Sequence, residues 1–394
     1  MTIKETHPYV DFYKKHKISP VSQDISDLKK HYDKREYLYR RLGIISSLIR
    51  DKSVIEFGPG SGHNALYTYS LDPSRYVLVD GNPTGLRECE RLFRNHFVQE
   101  KKYEFVECLV EEFQSDELFD VVICEGLIPA QKDPKQFAKT VARFAKPGGV
   151  CVVTCHDEVG MLTDLLRCLI GSIVIEESMP FEEKRDVLVA VFEKHLKNLK
   201  GMSRPCQDWV VDQILHKAFW CGSHFFSVED AIDALEDSFD VYGASPFFLT
   251  DWRWYKDVFG DQRAFNATGK DCYLKNIHNF LDYHYEFPAR SIADNKQLIN
   301  HCRKIRKCIS GYGFERKKEY IDEICRKIVK LQAMVSSFSP GTAEALADFG
   351  HALKKYPKIG PQTDWGRFAA WWGRGMQYLS FIRLGQIDEM KNEL

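Results

Sequence analysis

No stretch of this 394-residue chain approaches the ~18 uninterrupted apolar residues of a membrane-crossing helix. Its opening, MTIKETHPYVDFYKKHKISP, is polar and lacks the apolar core of a secretory leader. Net charge is lacking as well: 55 Lys and Arg stand against 56 Asp and Glu. That balance gives no global pull toward nucleic acid or a membrane surface, and neither is expected as a partner. The twelve cysteines form no CxxC pair and no zinc-like cluster. Reduced thiols, a cytoplasmic setting and no metal are therefore expected. No internal repeat or low-complexity tract is present. The terminal KNEL has the look of a retention tail but no leader accompanies it, and the NAT at Asn266 is a glycosylation pattern without meaning in a reducing compartment.

What is present is an ordinary globular composition, 44% hydrophobic and 28% charged, in a chain too long for one core. Residues 1–50 are polar and aromatic, and DISDLKKHYDKREYLYRRLGIISSLI reads as helix. From residue 52 short β-branched runs (SVIEF, RYVLVD, YEFVECL, FDVVICEGL, VCVVTCH) alternate with helical patterns. Strands that alternate with helices imply a parallel sheet with both faces covered. After residue 160 the pattern turns helical. KRDVLVAVFEKHLKNL sets Val187, Leu188, Val191, Phe192, Leu196 and Leu199 on one face, and EYIDEICRKIVKLQAMV does the same with Ile321, Ile324, Ile328, Leu331 and Val335. Ser227 with Asp230 makes a capping box, and FDVYGASPFFL (239–249) reads as extended and returning to the sheet.

The densest signal is VIEFGPGSGHN, residues 54–64, with three glycines directly after an apolar run. Strand, glycine turn and helix place a tight bend at the carboxyl end of the first strand. Gly60 and Gly62 can adopt backbone angles closed to other residues, and their bare main chain lets a ligand approach the helix N-terminus. Crevices at that edge are where open α/β sheets bind ligands. A dinucleotide fingerprint needs its third glycine at 63, where His63 stands instead, and Glu56 suits a cation better than a pyrophosphate. Asp80, ending the second strand, can accept both hydroxyls of a ribose.

With these residues in place the chain resembles the class I S-adenosylmethionine-dependent methyltransferases. Four motifs carry the resemblance: VIEFGPGSG (54–62), VLVDGN (77–82), FDVVICEGL (119–127) and FAKPGGVCVVT (144–154). It implies a Rossmann-like, doubly wound, mostly parallel α/β sheet with an N-terminal helical cap (1–50), a cofactor-binding core (51–158), a helical insertion or lid (159–226), a return to the sheet (227–260) and a helical C-terminal region (261–394). It also implies S-adenosylmethionine as cofactor and S-adenosylhomocysteine as product. Glu56 and the turn of Gly58, Gly60, Ser61 and Gly62 would lie against the amino-acid part and ribose. Asp80 would bind the ribose hydroxyls, with Gly81 and Asn82 near the adenine. Relatives often carry an Asp after the third strand; here Leu109 and Val110 offer backbone groups, or Glu111 reaches in. Glu125 and Gly126 would border the methionyl group. Tyr32 or Arg35, on the leading helix, would reach its carboxylate, unless that helix is an amphipathic cap with solvated charges.

The acceptor is less defined. His156 and Asp157, after the fifth strand, make a candidate general base with a carboxylate partner, and Glu125 faces the same centre; a His–Asp helix cap is the alternative. Aromatic residues crowd 205–290, and Trp209, Asp212, His216, Trp252 and Trp254 are candidates for an acceptor pocket, against plain packing of helices on the sheet. Residues 301–330 hold ten Lys and Arg against four Asp and Glu, a solvated face or a receiver for an anionic acceptor. The expected activity is methyl transfer to an oxygen or nitrogen of a small molecule, sugar-derived or natural-product in kind, by an enzyme for which a homodimer stays open. Methylation of a protein or peptide nitrogen, and a non-catalytic cofactor-binding partner, are the alternatives.

Overall fold

Seven strands make one sheet: β1 (Ser53–Phe57), β2 (Arg75–Val79), β3 (Tyr103–Val106), β4 (Phe119–Cys124), β5 (Ala145–Cys155), β6 (Phe239–Ser245) and β7 (Gln377–Arg383). The structure, a computed structural model, describes residues 7–97, 102–217, 220 and 225–385. The strand order is β3-β2-β1-β4-β5-β7-β6. β1 pairs in parallel with β2 and β4, and β7 runs antiparallel between β5 and β6. The expected mostly parallel, doubly wound sheet is thus present. Val54, Ile55, Val77, Leu78, Val122 and Ile123 are fully or almost fully buried, as strands covered on both faces must be.

The chain divides into two compact units. The first is drawn from Met1–Cys155, Phe226–Tyr273 and Gln377–Leu394, and the second from His156–Phe225 and Leu274–Met376. The first holds the whole sheet, with helices that include Leu28–Arg41, His63–Ser70, Pro83–His96, Pro134–Ala142 and Val228–Leu235. Its core joins Tyr39, Leu42 and Ile44 to Val54, Leu66, Tyr76, Phe93 and Val152. The extended segment from 239 enters the sheet as β6, and the Ser227–Asp230 capping box forms in both directions. Asn266, of the NAT pattern, bridges the β6 backbone: its Oδ1 accepts from the Val241 N–H and its Nδ2 donates to the Phe239 carbonyl, both at 2.8 Å. β7 lies inside a stretch that reads as helical in sequence; the alternation in QYLSFIR, with Leu379 and Phe381 buried, is its only local signal.

The second unit is helical, with Leu162–Val174, Phe181–Lys197, Ile292–Glu315, Lys318–Ser336 and Pro340–Leu353 as its longer elements. Ile321, Ile324, Ile328, Leu331 and Val335 are all buried, as their spacing predicts. At its centre is Arg167, fully buried. Its Nη1 donates to the Thr163 carbonyl at 3.1 Å, and its Nη2 to the carbonyls of Phe368 and Trp371 at 3.1 and 3.0 Å. The guanidinium lies 3.5 Å from the Trp372 ring centroid. Burial pushes its pKa down to about 9, so it remains charged at neutral pH. The basic stretch 301–330 is largely paired: Arg303 and Arg306 meet Glu158, Lys317 meets Glu315, and Arg326 and Lys327 meet Glu323.

Gly243 of β6 is where the sheet meets the end of helix Leu28–Arg41. A Cβ there would stand 2.7 Å from the Arg41 carbonyl oxygen and from main-chain atoms of Leu42, which cannot rotate away. Ser380 of β7 fixes the same corner by donating to the Leu42 carbonyl at 2.7 Å. Gly243→Ala is expected to cost about 2 kcal/mol through overpacking, read as a lower urea midpoint at unchanged m-value.

Candidate functional site

Parallel strands end at one edge, so residues just past β1, β2 and β4 must converge. Glu56 of β1, Asp80 immediately after β2 and Glu125 immediately after β4 do so. The glycine turn follows β1, and the Gly58 N–H continues the ladder by donating to the Val79 carbonyl at 2.8 Å. Gly58, Gly60 and Gly62 have φ of +74°, +56° and +81°, the left-handed region that favours glycine. The close approach that these bare positions allow is made in large part by the chain itself. A Cβ on Gly62 would strike Cys89 of helix Pro83–His96, and one on Gly60 would strike Val21. Gly62 then caps helix His63–Ser70.

Asp80 ties the bend to the next loop. Its Oδ2 accepts the Gly60 N–H at 2.9 Å and its Oδ1 the Asn82 N–H at 2.7 Å. Burial pushes its pKa up to about 6, held back by those two backbone donors. Asn82 caps helix Pro83–His96 by accepting the Thr84 N–H at 3.1 Å, and donates to the Ile18 carbonyl at 3.1 Å. The segment that supplies Ile18, Ser19 and Val21 thus lies against the Gly60 main chain and the Asn82 side chain. The half-buried Leu109 lies against Gly81, and Val110 is buried. Glu112 folds back on the Leu109 N–H, 3.3 Å away, whereas Glu111 stands half-exposed beside His7.

Glu56 is 4% exposed and accepts a hydrogen bond from the Tyr76 hydroxyl. Burial, then the charge of Glu125, push its pKa up to about 7. Glu125 is held by Arg35 from helix Leu28–Arg41 in a two-pronged pair, Nη1 to Oε2 at 3.0 Å and Nη2 to Oε1 at 2.5 Å. Both side chains are buried, and Asn64 Nδ2 donates to Oε2 at 3.3 Å. Gly126, at φ +75°, donates its N–H to Thr154 Oγ1 at 2.7 Å and has nothing within 4 Å of its Cβ direction, so the edge is open there. Tyr32 is directed elsewhere: its hydroxyl donates to the Leu66 carbonyl at 3.4 Å and its ring meets Tyr67 edge-on. Ser61 is buried and shares a hydrogen bond with His63 Nδ1 at 3.1 Å. Burial pushes the pKa of His63 down to about 4, which keeps it neutral.

The other sequence candidates divide between the units. His156 and Asp157 belong to the second. Asp157 is buried, and its Oδ1 accepts the N–H groups of Val159 and Gly160, each at 2.8 Å, so it holds a turn. His156 packs edge-on to Phe225, burial pushes its pKa down to about 4, and Asp212 is the acid whose charge opposes that shift. Asp212 pairs with Arg204 at 2.5 Å and lies in a π-helical turn, Val211–Leu215. Trp209 is buried among Phe192 and Trp372, and His216 is buried. Trp252 and Trp254 belong to the first unit and face solvent, Trp252 at 95% exposure.

The result is a notch with three carboxylates (Glu56, Asp80, Glu125) and one guanidinium (Arg35). That surplus of negative charge fits a ligand that is cationic and carries hydroxyl groups, as S-adenosylmethionine does. Tyr76, Asn64 and Thr154 are parts of the site that sequence reasoning does not find. Tyr76 sits inside an apolar strand, Thr154 inside another, and Asn64 reads only as a first-turn helix residue. Among the described residues no three His, Cys, Asp or Glu are arranged to hold a metal ion.

Residues 49–198 match a family model described as a methyltransferase domain. Among solved structures, a protein of Bacillus halodurans C-125 assigned as a methyltransferase is 17% identical at TM-score 0.31, over 52% of this chain and 70% of its own. The N-methyltransferase NodS of Bradyrhizobium japonicum, solved with S-adenosylhomocysteine, is 16% identical at TM-score 0.31, over 37% and 74%. A Galdieria sulphuraria protein assigned as a sarcosine dimethylglycine methyltransferase is 11% identical at TM-score 0.37, over 89% and 86%. No curated protein matches in sequence.

The Arg35–Glu125 pair is testable by itself. Arg35→Met leaves Glu125 buried without its cation and is expected to cost about 3 kcal/mol in urea denaturation. Adding Glu125→Gln is expected to recover part of that loss, and the double-mutant cycle reads the coupling.

Proposed function

We propose that this chain, whose residues 49–198 match a family model described as a methyltransferase domain, is an enzyme of the class I S-adenosylmethionine-dependent kind that moves a methyl group from S-adenosylmethionine to an oxygen or nitrogen of a small-molecule acceptor. The observation that carries this reading is the acidic notch at the carboxyl edge of β1, β2 and β4, built around the Gly58–Gly62 bend. Asp80 takes the ribose hydroxyls on the lone pairs left by its two backbone donors. Glu56 faces the cationic end, Gly81, Asn82, Leu109 and Val110 line the base, and Glu125 with Gly126 borders the methionyl part, oriented by Arg35. The cofactor supplies a methyl group already activated on sulfonium. The protein has to align a nucleophile and exclude water. No described helix is long and apolar enough to cross a membrane, which suits the cytoplasmic setting proposed with it.

Asp212 and His216 are the acceptor-binding candidates in this reading. In this reading His156 is the group that takes the proton of a hydroxyl acceptor, working against the burial that pushes its pKa down to about 4, and Asp157 fixes the turn that carries it. An amine acceptor needs no such step, only presentation in its unprotonated form.

Asp80→Ala is expected to weaken S-adenosylmethionine binding about tenfold or more by calorimetry, the loss of a charge-assisted hydrogen bond. Unchanged affinity removes the ribose assignment. His156→Ala is expected to keep cofactor affinity while losing transfer of radiolabelled methyl to hydroxyl-bearing small molecules. Undiminished transfer to such acceptors ends the role of His156.

A further inference from the structure

Glu56 differs from the other acids of the notch in what offsets its charge. Arg35 is committed to Glu125 through both Nη1 and Nη2. Asp80 has two backbone N–H donors. Glu56 has the neutral hydroxyl of Tyr76 on Oε2, and among the described residues no hydrogen bond or ion pair reaches Oε1. A buried carboxylate with one neutral donor is poorly compensated. A cation placed beside it makes good that deficit, and a neutral ligand does not.

We propose that Glu56 is the residue by which the notch reads ligand charge, so that it holds cationic S-adenosylmethionine in preference to neutral S-adenosylhomocysteine. This rests on the cofactor reading above and adds a determinant to it. The two nucleosides differ by one methyl and one positive charge, and of the three acids in the notch Glu56 is the one held by neither a paired guanidinium nor backbone N–H groups. Such a preference relieves inhibition by the product, which otherwise makes nearly every contact the cofactor makes.

The groups around Glu56 set the pH at which this preference operates. From β2 and the residue after it come Tyr76 and Asp80. From β4 and the residue after it come Cys124 and Glu125. Helix Leu28–Arg41 brings Arg35 and Tyr39, and helix Pro83–His96 brings Cys89. Glu125 and Asp80 oppose ionisation of Glu56, while Tyr76 and Arg35 favour it. Tyr39, Cys89 and Cys124 are pushed up by burial and stay neutral. The balance leaves Glu56 near 7. Below that value the free protein carries the proton, and a cation must expel it to solvent to be bound. Above it the carboxylate is already formed. Preference for the cation is therefore full above pH 7 and fades as pH falls through it.

Calorimetry of the full chain with each nucleoside at pH 6 and pH 8, in two buffers of different ionisation enthalpy, tests this. The ratio of the two Kd values, product over cofactor, is expected to rise about tenfold from pH 6 to pH 8, with proton release on binding S-adenosylmethionine at pH 6. The amino groups of the ligands also titrate, and they do so equally in Glu56→Gln, whose side-chain carbonyl still accepts from Tyr76. The rise that belongs to Glu56 is absent from that variant. Tyr76→Phe, which removes the donor that favours the carboxylate, moves the rise to higher pH. A ratio that does not change with pH, or that rises equally in Glu56→Gln, overturns the proposal while leaving the cofactor reading intact. If Glu56→Gln does not fold, an unmoved rise in Tyr76→Phe overturns it. If neither nucleoside binds at either pH, the cofactor reading fails and this inference with it.

Discussion

One carboxylate sets the geometry of the candidate site. Asp80 accepts a backbone N–H from Gly60 on one oxygen and from Asn82 on the other. The first bond pins the bend that follows β1, and the second pins the loop that opens the next helix. It is the side chain that hydrogen-bonds both loops at once, beyond the ladder that joins the strands leading into them. Main-chain donors suit this task because they bring no charge. Asp80 keeps its remaining lone pairs, and the notch keeps its net negative character.

That character then has to be managed inside a poorly solvated edge. Three acids and one arginine meet at the ends of three parallel strands, and the fold treats each acid differently. Asp80 is bound by backbone, Glu125 by a guanidinium and Glu56 by a phenol. Only the Glu125 pair is neutral overall. Helix Leu28–Arg41 delivers the arginine, so the leading segment of the chain takes part in the electrostatics of the edge as well as in its packing. The second unit solves the same problem in reverse: Arg167, a buried cation, is surrounded by carbonyls and ring faces.

Much of this was legible in the residues because the motifs that mark the edge are local. Glycines after an apolar run, an acid closing the next strand, and PGG before VCVVT each follow from backbone demands within a few positions. Periodicity likewise placed Ile321, Ile324, Ile328, Leu331 and Val335 in a core. What stayed hidden is what depends on distant partners. Arg35 can be read as a charge on a polar helix; only tertiary structure shows that it meets Glu125, 90 positions away. Tyr76 looks like one more strand residue until Glu56 is set beside it. The glycines were legible as a bend, yet the atoms that press on Gly62 belong to Cys89, which no local pattern identifies. β7 has a seven-residue alternation as its sole mark, too short to stand out after a long helical region.

The place of β7 bears on how such a chain is made. β5 and β6 never pair with each other; β7 stands between them and supplies both ladders. Until residues 377–383 leave the ribosome, the emerging sheet carries unfilled hydrogen-bonding rims at β5 and β6, the kind of surface that invites a foreign strand. Both rims are closed in one step when β7 slides in between them.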